Sequence, residues 1–354
     1  MNSLREYIKE EIDNIFLLNE VAVSEEIKNA SNLILDKIIE IENETLLSNW
    51  KKSSKIDGFV LVDRIYINSK DLFFKDLWID LRLIKIKKTE HISEEQLKAN
   101  NYGTFNENMI LLNDDKKISR GQFFLNIAYV EGELKNNLTL GCIYHEVLHY
   151  YEAWKRFLKY GNPKVSDIAS VRNSIQTRIK NECNGNFLLG LSEIIYYLCY
   201  FERNAFMATL YGELINTGAS SIEDLEREFK NTKTYQNYYV NLQNPQLIFN
   251  SSLCSDKNDL YKINEIIEKT ISNFNQVNIN NKVESKDLKF FYKNESIEEY
   301  ANKIFKLIKK EEAVVNKKLP FVFKKILADK QKKIKTLNEI DFNFNEEKIF
   351  PGRL

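Results

Sequence analysis

Cysteine, proline, glycine and histidine are all scarce in this 354-residue chain, at 4, 4, 11 and 3 copies. So few glycines and prolines exclude collagen-like and low-complexity repeats. The four cysteines (Cys142, Cys183, Cys199 and Cys254) form no CxxC pair and no dense framework. They read as reduced, buried small hydrophobes of a cytosolic protein. A long hydrophobic run is missing too. The longest purely apolar stretch, Ile194 to Phe201, is far short of the roughly 20 residues that span a bilayer. The opening residues 1–16 show no basic region followed by an apolar core and a small-residue cleavage site. A cytoplasmic protein without a membrane partner is therefore expected. An excess of either charge is also absent. Lys plus Arg and Asp plus Glu stand at 51 each, which gives no reason to expect nucleic acid or an anionic membrane.

What is present is enough apolar material, 43% of residues, to bury a substantial core, and length for one large domain or two smaller ones. The balanced charge hides an asymmetry. Residues 1–50 hold four basic and eleven acidic side chains, a net of −7, while residues 301–339 hold twelve lysines against four acids, a net of +8. A polarised molecule is expected, or two ends that meet.

The hydrophobic period divides the chain. Ile27, Ala30, Ile34, Ile38 and Ile41 recur at helical spacing, as do Ile8, Ile12, Ile15 and Phe16. Phe59–Ile67 and Leu72–Ile86 are rich in β-branched and aromatic residues, and Met109–Leu112 and Gln122–Val130 are further strand candidates. Leu138 to Tyr160 reads as one helix stopped by Gly161-Asn162-Pro163. Helices follow near 166–181 and 190–216, and Ser220 with Glu223 suggests a capping box opening another near 221–230. The Asn- and Lys-rich stretches 231–258 and 275–295 read as long surface connections, and the last hundred residues as mainly helical. Helix, then sheet, then helices argues for an α+β fold with a small mixed sheet. The expected units are an acidic helical segment over 1–55, a sheet-and-helix domain over 56–230, and a lysine-rich helical region over 231–354.

One segment carries chemistry. Of three histidines, two lie in Tyr144-His145-Glu146-Val147-Leu148-His149, an HExxH pattern. With so few histidines a chance match is expected only about 0.003 times in the chain. The i, i+4 spacing on a helix puts both imidazoles on one face, one turn apart, where two nitrogens reach one metal ion. Zinc in such a site lowers the pKa of water and polarises a carbonyl. Glu146, beside the first ligand, would take the water proton as general base and pass it to a leaving amine. Catalytic zinc needs a third protein ligand. Cys142 is too close along the same helix and is expected to face elsewhere, and no histidine remains downstream. A carboxylate must complete the set. Glu202 is the choice, because a charge following eight apolar residues needs a partner; Asp167, Glu182 and Glu193 are the rivals. Ala205, on the same helical face, would let the HExxH helix approach closely.

With HExxH followed by Glu202-Arg203-Asn204-Ala205 on a later helix, the stretch 70–215 resembles the gluzincin branch of the zincin metallopeptidases. Its aromatic Tyr196-Tyr197 run before Glu-Arg-Asn-Ala is similar to phage-associated and other bacterial members, although Phe201 stands where the best-known members have Asn. The resemblance implies a zincin-like catalytic helix, Zn2+ held by His145, His149 and Glu202, Glu146 as base, and a peptide or protein substrate. It also implies an edge strand before the active helix that pairs with substrate. Met109–Leu112 or Gln122–Val130 would fill that role, the second being nearer in sequence. The oxyanion needs a donor besides the metal; Tyr197 is the choice, with Tyr200 and Tyr211 as alternatives. Arg203 either supports a ligand or faces outward, and His91 reads as a surface residue.

Two other function classes compete. A structural or regulatory protein of the same fold would use the metal to lock two helices, but such a site needs no base. A nucleic-acid or partner adaptor would use the lysine-rich end, which lacks the arginine–aromatic interleaving of single-strand platforms.

Overall fold

The computed structural model describes residues 23–44, 60–86, 102–105, 111–112, 116–130, 133–134, 136–160, 168–182, 196–198, 200–245, 257–277, 282–284 and 296–349. His91, Asp167, Glu193 and the segment 1–22 lie outside them, as do the side chains of Glu182 and Tyr200.

Helix α1 (Glu25–Asn43) opens on Ser24, whose hydroxyl accepts from the Ile27 amide, with Glu25 and Glu26 in the first turn where the helix dipole favours acids. Its buried stripe Ile27, Ala30, Ile34 and Ile38 keeps the helical period. The sheet follows: β1 (Val60–Asn68), β2 (Asp76–Ile86), β3 (Tyr102–Phe105), β4 (Leu111–Leu112), β5 (Ile118–Val130) and β6 (Glu133–Leu134). β1 runs antiparallel to β2, β2 parallel to β5, and β3 antiparallel to β5, in the order β1-β2-β5-β3. The two short strands β4 and β6 also pair with β5. The sheet is mixed, and α+β is the class.

Alternation decides which sheet face is covered. Leu77, Ile79, Leu81 and Leu83 of β2 and Phe123, Leu125, Ile127 and Tyr129 of β5 are all buried on one face, while Val62, Tyr66 and Trp78 face outward on the other. Helix α2 (Asn136–Tyr160) covers the buried face, and α1 packs on it in turn. The chain then forms α3 (Ile168–Glu182), α4 (Tyr200–Ile215), α5 (Ile222–Phe229), a π-helical turn Tyr235–Tyr239 leading into α6 (Val240–Gln243), α7 (Lys257–Val277) and the 53-residue α8 (Ile297–Ile349). None of these helices is long and apolar enough to cross a membrane.

Three sequence expectations are corrected. Strand β5 is not an edge: β2 occupies one side of it from Gly121 to Val130, and β3 and β6 pair on the other. The α5 cap is Ser221, which accepts from the Asp224 amide at 3.1 Å, one residue later than Ser220 with Glu223. Part of the stretch read as a surface connection, 233–243, is helical and packed on α8, because Tyr238 and Leu242 give it a buried side.

Candidate metal centre

Helices α2 and α4 cross at two glycines. A Cβ on Gly212 would stand 2.9 Å from the Gly141 Cα and 2.8 Å from the Tyr144 ring. Only hydrogen at both positions allows this approach, and Ala205, fully buried, continues the small face. The two helices run antiparallel, so one turn beyond Gly141 the side chain of His145 meets Thr209, and one turn further His149 meets Glu202.

At that level three donors converge. His145 Nε2 lies 3.5 Å and His149 Nε2 3.6 Å from Glu202 Oε2, and the two imidazole nitrogens are 3.2 Å apart. All three ligand atoms fall within 4.8 Å of one another. Glu202 is 7% exposed, and its Oε2 is a buried oxygen without a hydrogen-bond donor. Orphaned buried carboxylate oxygens are costly. Two imidazoles and a carboxylate form a donor set that suits zinc. The residues present therefore fit a divalent cation.

Charge follows the geometry. Burial opposes ionisation of Glu202, yet His149 and His145 outweigh it and hold the carboxyl well below the usual range. Burial likewise opposes a charged His149, but the Glu202 carboxylate, with Glu146 and Glu152 beyond it, lifts this imidazole to about 9. Glu146 is 3% exposed; burial pushes its carboxyl up, and the two histidines pull against that shift.

A cavity of about 240 Å³ adjoins the centre at His145 and Glu146, with Tyr196, Tyr197, Phe206 and Lys233 also among its walls. Gly103 of β3 forms its rim, so close that a Cβ there would lie 2.3 Å from Glu146 Cγ. The strand beside the site is thus β3, and among the described residues its far edge pairs with no other strand.

The sequence-selected residues divide. His145, Glu146, His149 and Glu202 come together. Tyr197 lines the cavity and its hydroxyl accepts from Asn241 at 3.2 Å. Tyr211 lies elsewhere, its ring packed at a tilt against Tyr144 and its hydroxyl donating to Asp329 at 2.8 Å. Cys142 does not face away: it lines the same cavity, four residues before Glu146, with its thiol pushed up to about 12 by burial. Arg203 turns inward, with its guanidinium 2.9 and 3.0 Å from the two oxygens of Glu311 on α8.

Sequence reasoning missed Tyr196, whose phenol is raised well above its usual value by burial and by the adjacent Glu202 carboxylate. It also missed Thr209, the two crossing glycines, and the wall formed by Lys233, Thr234 and Asn237. Spacing carries no signal for these, since each depends on a contact between distant segments. Comparison with protein-family models, with curated proteins and with solved structures gives no match.

Proposed function

We propose that the chain is a zinc metallopeptidase of the zincin type, with His145, His149 and Glu202 as metal ligands and Glu146 as general base. The observation that carries the reading is the convergence of those three donors from two helices, with Glu146 beside them in an open cavity. A zinc ion held there would supply Lewis acidity and lower the pKa of water.

The protein's own groups account for the rest. Glu146 accepts the proton of the attacking water and returns it to the leaving amine, a task for which a buried carboxyl with a raised pKa is suited. Tyr196 and Tyr197, on one wall of the cavity, are the phenols placed to donate to the oxyanion. The backbone of β3 at the cavity rim offers a strand edge for an extended peptide, the role for which the resemblance suggested Met109–Leu112 or Gln122–Val130. A metal used only to lock two helices would be closed by a fourth protein ligand and would need no adjacent base. Among the described residues three donors cluster.

The test is bound zinc and peptide cleavage in the purified chain and in Glu146→Gln. The expected result is one zinc per chain in both, with cleavage lowered about 10²–10⁴-fold in the variant. Equal cleavage rejects Glu146 as base, and a wild-type chain that binds no zinc rejects the centre.

A further inference from the structure

We propose that Thr209 is the positioning residue of this centre: its hydroxyl, anchored on the Ala205 carbonyl, fixes the His145 ring in the tautomer that aims Nε2 at the cation. The inference rests on the metal-centre reading above and adds a residue to it.

The argument is one of hydrogen counting. Thr209 Oγ1 lies 2.9 Å from the Ala205 carbonyl oxygen and 3.0 Å from His145 Nδ1. A carbonyl oxygen can only accept, so the single hydroxyl hydrogen is committed to Ala205. Bonding of a helical threonine to the carbonyl four residues back is ordinary in itself. Its consequence here is that Oγ1 turns a lone pair toward the imidazole and has no proton left to give. The 3.0 Å contact then requires Nδ1–H on His145, and in the neutral ring the remaining lone pair is at Nε2. That atom is the one facing Glu202 and His149. Phe206 meets the same ring edge-on, at 5.5 Å between centroids and 77° between planes, and limits its rotation. Thr209 lines the cavity yet is only 6% exposed, so the bond is largely shielded from solvent. One helix thus supplies both the third ligand, Glu202, and the group that orients the first. Partners of this kind set the orientation and basicity of metal-bound histidines.

Two measurements test the role. In the metal-free protein labelled with 15N-histidine, long-range proton–nitrogen spectra read the tautomer of each ring, and three histidines make assignment tractable. His145 is expected as the Nδ1–H tautomer in the wild type. Finding Nε2–H there overturns the proposal without any mutation. Zinc affinity is then measured by chelator competition in the wild type, Thr209→Ser and Thr209→Val. Serine keeps the hydroxyl and is expected to stay within about threefold, whereas valine is expected to lose about 10–100-fold and to mix the His145 tautomers. Wild-type affinity and an unchanged tautomer in Thr209→Val overturn the role. If the wild type binds no zinc, the metal-centre reading falls while the tautomer spectrum still reports on Thr209.

Discussion

His149 and Glu202 form the residue-scale unit on which the centre turns. Before any cation arrives, the proton on His149 sits among the converging donors, stabilised by Glu202 and Glu146. A divalent cation must displace it, because a ligating nitrogen cannot carry hydrogen. The imidazole is raised to about 9, so the protonated form dominates at lower pH and is lost as pH rises through that value. Zinc binding is therefore expected to release about one proton near neutrality, with affinity rising roughly tenfold per pH unit and levelling above the His149 value. Chelator competition between pH 6.5 and 8.5, with calorimetry in buffers of differing ionisation enthalpy, checks this; a flat profile contradicts it. HExxH is legible from sequence because all its parts lie within one helical turn and a half. Glu202 is legible for a different reason, as a charge that ends an apolar run and needs a partner. Thr209 is not, because a threonine inside a helix has a satisfied hydroxyl wherever it faces.

At the scale of elements, the site depends on how closely α2 and α4 approach. Gly212→Ala sets two effects against each other. Alanine is favoured over glycine inside a helix by about 1 kcal/mol. Its Cβ, however, would press on the Gly141 backbone at 2.9 Å, and backbone cannot rotate away. Overpacking of this kind costs about 1–3 kcal/mol, so net destabilisation and weaker zinc binding are expected. Thermal unfolding and zinc titration of the variant decide the matter; a more stable Gly212→Ala means that the helices separate freely. The elements themselves were largely readable. The strands at 60–68 and 76–86 and the helices at 136–160 and 200–215 fall within the stretches that composition and period mark as strand and helix. The pairing of β5 was not readable, because a strand of alternating residues looks the same at an edge as in the middle of a sheet. The helix at 233–243 was hidden by its asparagines and tyrosines, which suggest a loop until Tyr238 stacks on Phe206 at 4.2 Å.

Across the whole molecule, the N- and C-terminal parts of the described chain do meet, but through the minority charge of each. Lys28 on acidic α1 lies 2.7 Å from Asp329 on basic α8. Asp329 also accepts from Tyr211, whose ring packs at a tilt against Tyr144 next to the HExxH pair. Burial works against both charges. The paired partners nevertheless hold Asp329 below its ordinary 3.8 and raise Lys28 above its ordinary 10.5. For the depressed carboxylate the stabilisation is present above 3.8 and lost as pH falls below it; for the raised lysine it is present below 10.5 and lost above. Lys28→Met is thus expected to cost about 2 kcal/mol at pH 7, with the difference from wild type shrinking as pH approaches 3. Unfolding midpoints at the two pH values measure it, and a pH-independent gap assigns the loss to packing alone. Behind the centre, Glu311 of α8 receives both Arg203 and Tyr238, so the C-terminal helix braces the helix that carries Glu202.

Period and spacing alone were enough for the class of fold, for a helix with two imidazoles four residues apart and a carboxylate beside the first, for Glu202 as a charge ending an apolar run, and for the chemistry such groups can perform. Only the tertiary structure placed Tyr196 beside Tyr197 on the cavity wall, brought β3 to border it and set Thr209 against the His145 ring. Those are contacts between segments some 40 or more residues apart, from Gly103 against Glu146 to Thr209 against His145, and they exist only once burial has brought the segments together.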